Sequence, residues 1–147
     1  PYDPRRLFDH FEQCHAAALL QAGDQVVTTL VLDIPRPLLT TNQARSQHWR
    51  KAHRAKHETE ALVRSALVAA RIRTLAAPIT VSVTWYAPDA RRRDSDALDF
   101  TKKAALDAMV KAGVIADDDY THVRSSTTSV VIDRDRPRIE IHIQEAQ

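Results

Sequence analysis

Residues 79–86, ITVSVTWY, alternate without a break: Ile79, Val81, Val83 and Trp85 fall on one side of an extended chain, Thr80, Ser82, Thr84 and Tyr86 on the other. Period two over that length predicts a half-buried strand. The same rhythm returns in 26–34, VVTTLVLDI, with Leu30, Leu32 and Ile34 on one face, and in 138–144, with Ile139, Ile141 and Ile143 together. A further strand is predicted over 123–132, joined to the last by the polar turn DRDRP. Between the strands the period lengthens. Leu7, Phe8, Phe11, Ala18 and Leu19, with Asp3 and Pro4 before them and Gly23 after, specify a first helix with both stop signals. A long helix is expected over about 46–73, after a loop PRPLLTTNQARSQH, and a third over about 97–112, with Leu98, Ala105, Leu106 and Met109 on its apolar side and Gly113 closing it.

The predicted order αβαβαββ implies helices packed on a small mixed sheet, an α+β class. A chain of 147 residues suits one domain. Residues 1–25 read as a helical extension and 26–147 as the domain proper. No apolar run approaches the roughly 20 residues of a membrane span. The first residues carry charges where a signal peptide has its apolar core, and Cys14 stands alone, so the expectation is a cytoplasmic protein without membrane association. Two glycines, Gly23 and Gly113, cannot build a Gly-rich phosphate cradle, so no nucleotide cofactor is expected.

Net charge is only +2, but it is unevenly spread. From Ile34 through His57 no acidic residue occurs, while Arg36, Arg45, Arg50, Lys51, Arg54 and Lys56 all do. Basic residues without local acids favour phosphate contacts. On the long helix Arg50, His57, Arg64 and Arg71 recur every seven residues, opposite Leu62, Ala66 and Ala69. Trp49 is expected to pack into the core at the helix start, with stacking on a base as the alternative. His53 and His57 lie four apart, but Glu58 follows rather than separates them, so the zincin pattern fails. His122 stands beside an acidic run, where a loop histidine without a special role is the plain reading.

The remaining chemistry lies in RRRDSDALDFTKKAALDAMVKAGVIADDD, residues 91–119. In extended backbone Asp94 and Asp96 leave the same face and could converge on one cation; alternatively they cap the third helix and complement its dipole. Asp117, Asp118 and Asp119 follow that helix and could equally form a solvated loop. A helix of this length separates its ends by about 24 Å. Convergence therefore needs the following segment to run back along it, for which a short strand at Val114–Ala116 is one means. Lys103 lies two turns beyond Asp96 and could meet a phosphate, or pair with Asp99 and Asp107 at the surface.

This run resembles the signature of the RusA family of Holliday junction resolvases: Asp-x-Asp-Asn, a lysine in the following helix, then Ala-Gly, two or three apolar residues and Asp-Asp. Arg91, Arg92 and Arg93 before it, and the loop from Pro37 through Asn42 to Arg45, resemble family features as well. The likeness covers about residues 28–144 and leaves the first helix as an addition. It implies a homodimeric, Mg²⁺-dependent endonuclease for branched DNA, with Mn²⁺ as a substitute ion. Asp94, Asp96 and Asp118 would be the metal ligands, Asp117 the neighbouring alternative, and Lys103 the essential lysine. DNA contacts are expected from Asn42, Arg45, Arg50, Lys51, Arg54 and Arg91 to Arg93. One departure stands out: Ala97 occupies the place of the family's asparagine. The chain is thus either a nuclease, with Asn42 or another group compensating, or a nucleic-acid-binding protein that has lost turnover.

Overall fold

Ile79, Val81, Val83 and Trp85 are all but inaccessible to solvent, as are Ile139, Ile141, Ile143, Leu30 and Leu32, because the three alternating segments pair side by side and turn the same face inward. They belong to a computed structural model of the chain, which describes residues 27–76 and 78–146. Among these are strand β1 (Val27–Leu32), helices α1 (Thr41–Ser46) and α2 (Trp49–Ala69), strand β2 (Ile79–Ala87), helix α3 (Asp99–Lys111), and strands β3 (Val123–Ile132) and β4 (Arg138–Glu145). The helix expected between Asp3 and Gly23 lies outside the described residues.

The sheet runs β1-β4-β2-β3. β4 is antiparallel to both β1 and β2, and β3 is parallel to β2. The DRDRP turn therefore joins strands that are not neighbours: β2 lies between them. A parallel pair needs a long crossover, and α3 with the loop after it supplies that link. One sheet face packs on α2 and α3 in a single apolar cluster. The opposite face carries polar pairs such as Thr29 with His142 and Thr84 with Ser129. The α+β class expected from the element order is the one observed.

α2 buries Ala55, Thr59, Val63 and Leu67, an i, i+4 ridge that continues as one stripe along the helix. Trp49, expected inside, is 66% exposed, and Ala69, opposite the basic stripe, is exposed as well. Trp49 precedes Ala55 by six residues, which at 100° per residue turns it about 120° from the ridge.

The long helix is shorter at both ends than its pattern predicts. Residues counted as loop form α1, started by a capping box in which the Thr40 hydroxyl accepts from the Gln43 N–H and the Gln43 side chain from the Thr40 N–H. At the other end α2 stops at Ala69 because Arg71 adopts a left-handed φ of 55°. The N–H of Ile72 bonds the Leu67 carbonyl and that of Arg71 the Val68 carbonyl, a Schellman ending. α3 ends identically, with Gly113 at φ 72° and N–H bonds from Val114 to Met109 and from Gly113 to Val110. In both, apolar residues meet across the ending: Leu67 and Met109 are buried, Val114 beside Met109, and Ile72 packs against the same core.

Candidate active site

α3 begins two residues later than its pattern predicts, and its N-terminus has no local side-chain cap. Asp94 and Asp96 form turns instead: the Ala97 N–H bonds the Asp94 carbonyl and the Asp99 N–H the Asp96 carbonyl. The capping role is filled from another element. Thr41, in the first turn of α1, donates its hydroxyl to the Asp96 carbonyl at 2.5 Å and accepts the Phe100 N–H at 3.2 Å. Its own N–H bonds the Ala97 carbonyl. Thr41 is 9% exposed, so these bonds are shielded from water. The Asp94–Asp96 turn is thus fixed by its backbone while the carboxylates remain uncommitted to the helix.

The neighbouring residue of α1 reaches one of them. Asn42 donates its side-chain amide to Asp94 Oδ2 at 2.6 Å. The Asp96 carboxylate has no hydrogen bond or ion pair among the described residues. A concavity of about 280 Å³ opens beside this turn, lined by Thr40, Asn42, Trp85, Arg92, Arg93, Asp94 and Ala97. Ala97 forms part of its wall and is 5% exposed.

On the far side of α3 the chain turns back after Gly113. No strand forms at Val114–Ala116: Val114 and Ile115 are buried in the core and the segment bends. The Val114 carbonyl accepts from the Leu75 N–H, outside the sheet. The return is achieved by side-chain burial rather than strand pairing. It brings Asp118 beside the middle of α3, where the Lys103 ammonium bridges Asp118 and Asp107. Asp99, the other partner expected for Lys103, pairs with Lys102. Lys103 sits four residues past the start of α3, about 6 Å along its axis.

The three consecutive aspartates separate by role. Asp119 accepts from the Thr121 hydroxyl and N–H, the His122 N–H and His122 Nδ1. The Thr121 hydroxyl first, then His122, hold its carboxyl down at about 2. It shapes the entry to β3, and His122 is its partner there. Asp117 accepts the N–H of Asp118, which leaves Asp118 as the one turned to Lys103.

Lys103 is also tied into the core. Asp107 takes Lys103 at 2.8 Å and Lys56 of α2 at 2.7 Å, and Lys56 lies 3.8 Å from the buried Glu60, which Lys111 meets at 2.7 Å. Partial burial pushes the Asp107 carboxyl up, but Lys103 and Lys56 outweigh it and hold it below the ordinary range. The hydrogen bonds to Asp107 and Asp118 raise Lys103 above its own. The ammonium is therefore fully charged at neutral pH and oriented by two carboxylates.

Carboxylate oxygens are the donors a hard divalent ion takes, so Asp94, Asp96 and Asp118 suit Mg²⁺ or Mn²⁺ in type. Among the described residues, however, no three histidine, cysteine, aspartate or glutamate side chains are gathered into a metal-holding group. Asp94 is held by Asn42 and Asp118 by Lys103.

The basic residues divide as well. Arg93 is 14% exposed in its side chain, pairs with Asp89 at 2.7 Å, and lies over the Trp85 ring at 4.6 Å. Its guanidinium also donates to the carbonyls of Asp89 and Arg91, so it staples the loop. Arg91 is 86% exposed, 3.6 Å from Asp89, and Arg92 is exposed. Arg50, Lys51 and Arg54 line an open cleft of about 270 Å³ with His48, and neither they nor Arg45 pair with an acid among the described residues. Trp49, next to Arg50 in the chain, has the Arg50 guanidinium over its ring at 5.3 Å. Spacing along the chain marked the basic block, but the exposed tryptophan beside it is visible only in the fold.

No curated protein matches the chain. The family model described as endodeoxyribonuclease RusA matches residues 33–144. That span includes the whole site, from Asn42 through Lys103 to Asp118. The chain belongs to the RusA family of endodeoxyribonucleases.

Proposed function

We propose that the protein is a metal-dependent, structure-selective endonuclease that cuts phosphodiesters in branched DNA such as Holliday junctions, acting as a homodimer. The observation that carries this reading is the return of the post-helix loop, which sets Asp118 against Lys103 on the helix that starts at the Asp94–Asp96 turn. Asp94, Asp96 and Asp118 are the residues that would hold the ion, with Asp117 adjacent. Bound there, Mg²⁺ would supply Lewis acidity toward the scissile phosphate.

The chain's own groups do the rest. Lys103, held by Asp107, neutralises charge on the phosphate or the leaving oxygen. Asn42 orients Asp94, and the Thr41 bonds fix the turn that carries Asp94 and Asp96. Arg45, Arg50, Lys51, Arg54, Arg91 and Arg92 hold the DNA backbone, and Trp49 offers a ring for stacking on an unpaired base. Two symmetry-related copies of the site match the two strands cut in a two-fold symmetric junction.

The test is Mg²⁺-dependent cleavage of a fixed four-way junction. The parent protein should nick it and Asp96→Asn should not. Equal cleavage by both would refute the ligand assignment. The alternative, a DNA-binding protein without turnover, draws on one feature: Ala97 lines the concavity beside Asp94, where the family signature places an amide. Salt-sensitive junction binding without cutting, with turnover appearing in Ala97→Asn, would favour that alternative over the nuclease.

A further inference from the structure

α2 carries a second cluster of ligating side chains, remote in chemistry from the carboxylates. His53 and His57 are both exposed. Their Nε2 atoms lie 2.9 Å apart, with ring centroids at 4.3 Å and planes at 84°. Four residues apart on one helix, they face the same side. At this separation the two nitrogens share a hydrogen bond, so one Nε2 carries a proton and the other accepts it.

The same distance has another reading. Two imidazole nitrogens each about 2.0–2.1 Å from one ion lie about 2.9 Å apart when they subtend a right angle, and about 3.3–3.4 Å apart in a tetrahedron. The pair is spaced for adjacent corners of a square-planar or octahedral centre. That geometry belongs to Cu²⁺ and Ni²⁺, whose affinity for imidazole also stands at the top of the divalent series. Mg²⁺ takes oxygen ligands and has no claim on the pair.

A neighbour supports the required tautomer. Glu60 Oε2 lies 3.7 Å from His57 Nδ1, and the Glu60 side chain is only 3% exposed. Its Oε2 is held by Lys111 at 2.7 Å, and its Oε1 has no hydrogen-bond partner among the described residues. A buried carboxylate on that side favours the proton on His57 Nδ1, which leaves His57 Nε2 as a lone pair and makes His53 Nε2–H the donor. To complete the chelate, only the His53 proton has to move from Nε2 to Nδ1.

We propose that His53 and His57 form a two-nitrogen chelate for a tetragonal transition-metal ion, Ni²⁺ or Cu²⁺, whose other positions stay open to water or an external donor. The site is independent of the nuclease reading, since it shares no residue with the carboxylates. It lies on the helix face that carries Arg50 and Arg64, so a bound ion adds positive charge to that stripe.

The test is a Ni²⁺ titration of the full chain by calorimetry, with the histidine ring signals followed by NMR. The parent should bind one Ni²⁺ more tightly than any other, and the ring signals of His53 and His57 should broaden first. His53→Gln and His57→Gln should each weaken that site on the order of tenfold or more, because either change removes the chelate. The double variant should lose the site altogether, because no imidazole is left there. Glu60→Gln should weaken it less and leave the stoichiometry unchanged. A tight site that persists in both single variants, or first broadening at His10, His15, His48, His122 or His142, would overturn the proposal. So would dependence on only one of the two rings. Folding of each variant is checked by its far-ultraviolet dichroism, and exposed positions on a helix tolerate glutamine.

Discussion

Asn42 donates to Asp94 across 52 residues of sequence, at 2.6 Å. The amide fixes which way one carboxylate of the turn points, and nothing else among the described residues holds that carboxylate. Asn42→Ala should therefore lower divalent-ion affinity about 10–100-fold, the usual effect of removing a group behind a ligand. Stability should hardly change, because Asn42 is exposed. Mn²⁺ affinity measured by calorimetry, beside the melting temperature, checks both halves. An unaltered affinity would remove Asn42 from the site.

The cleft of Arg50, Lys51 and Arg54 should contribute phosphate contacts. Affinity for a four-way junction should fall steeply with salt, and each alanine substitution at Arg50 or Arg54 should reduce the log–log slope by about one. Trp49→Ala should behave differently, losing about 1–3 kcal/mol with the slope kept, as stacking does. Binding isotherms at several salt concentrations separate the two effects. A parent affinity insensitive to salt would contradict the assignment.

The two Schellman endings offer a matched pair of stability tests. Arg71 bears the left-handed strain that Gly113 does not. Arg71→Gly should stabilise the fold by about 0.5–1 kcal/mol. Gly113→Ala should cost about 1 kcal/mol from backbone strain alone, since a methyl group at that position meets no atom of the described residues within 4 Å. Chemical denaturation reads both. A destabilising Arg71→Gly would mean that the arginine side chain does more than the backbone requires.

Acid stability should carry the mark of Asp119. Its carboxyl is held at about 2 against an ordinary 3.8. A depressed carboxyl lends stability that is complete above the unfolded value and is lost as pH falls through the folded one. The parent's melting temperature should thus drop between about pH 4 and pH 2, and Asp119→Ala should show a shallower drop from a lower plateau. Parallel curves across that window would show that the Thr121 and His122 bonds contribute nothing.

Much of the fold was readable because its strands alternate. Ile79 to Trp85 and Ile139 to Ile143 settle which sheet face is buried before any contact is known. The Thr40–Gln43 capping box was equally written in the sequence, yet the proline-rich run before it hid α1. Arg71 gave no warning, because a left-handed ending without glycine is fixed by the packing of Ile72 rather than by a local preference. The same holds for the site. The carboxylates and Lys103 stand out by spacing, whereas the Thr41 cap on α3 and the separation of Asp118 from Asp119 depend on contacts between distant segments. Val114–Ala116 turned the chain back without pairing as a strand, because Val114 and Ile115 found burial instead.

Two acidic stretches, separated in the chain by α3, are proposed to serve one cation beside Lys103. Anomalous scattering from crystals grown with Mn²⁺ locates the ion directly. The expected peak is bound by carboxylate oxygens of Asp94, Asp96 and Asp118, with the Lys103 ammonium turned away from Asp118 and still held by Asp107. A peak elsewhere, or none at Mn²⁺ concentrations that support junction cleavage, would contradict it.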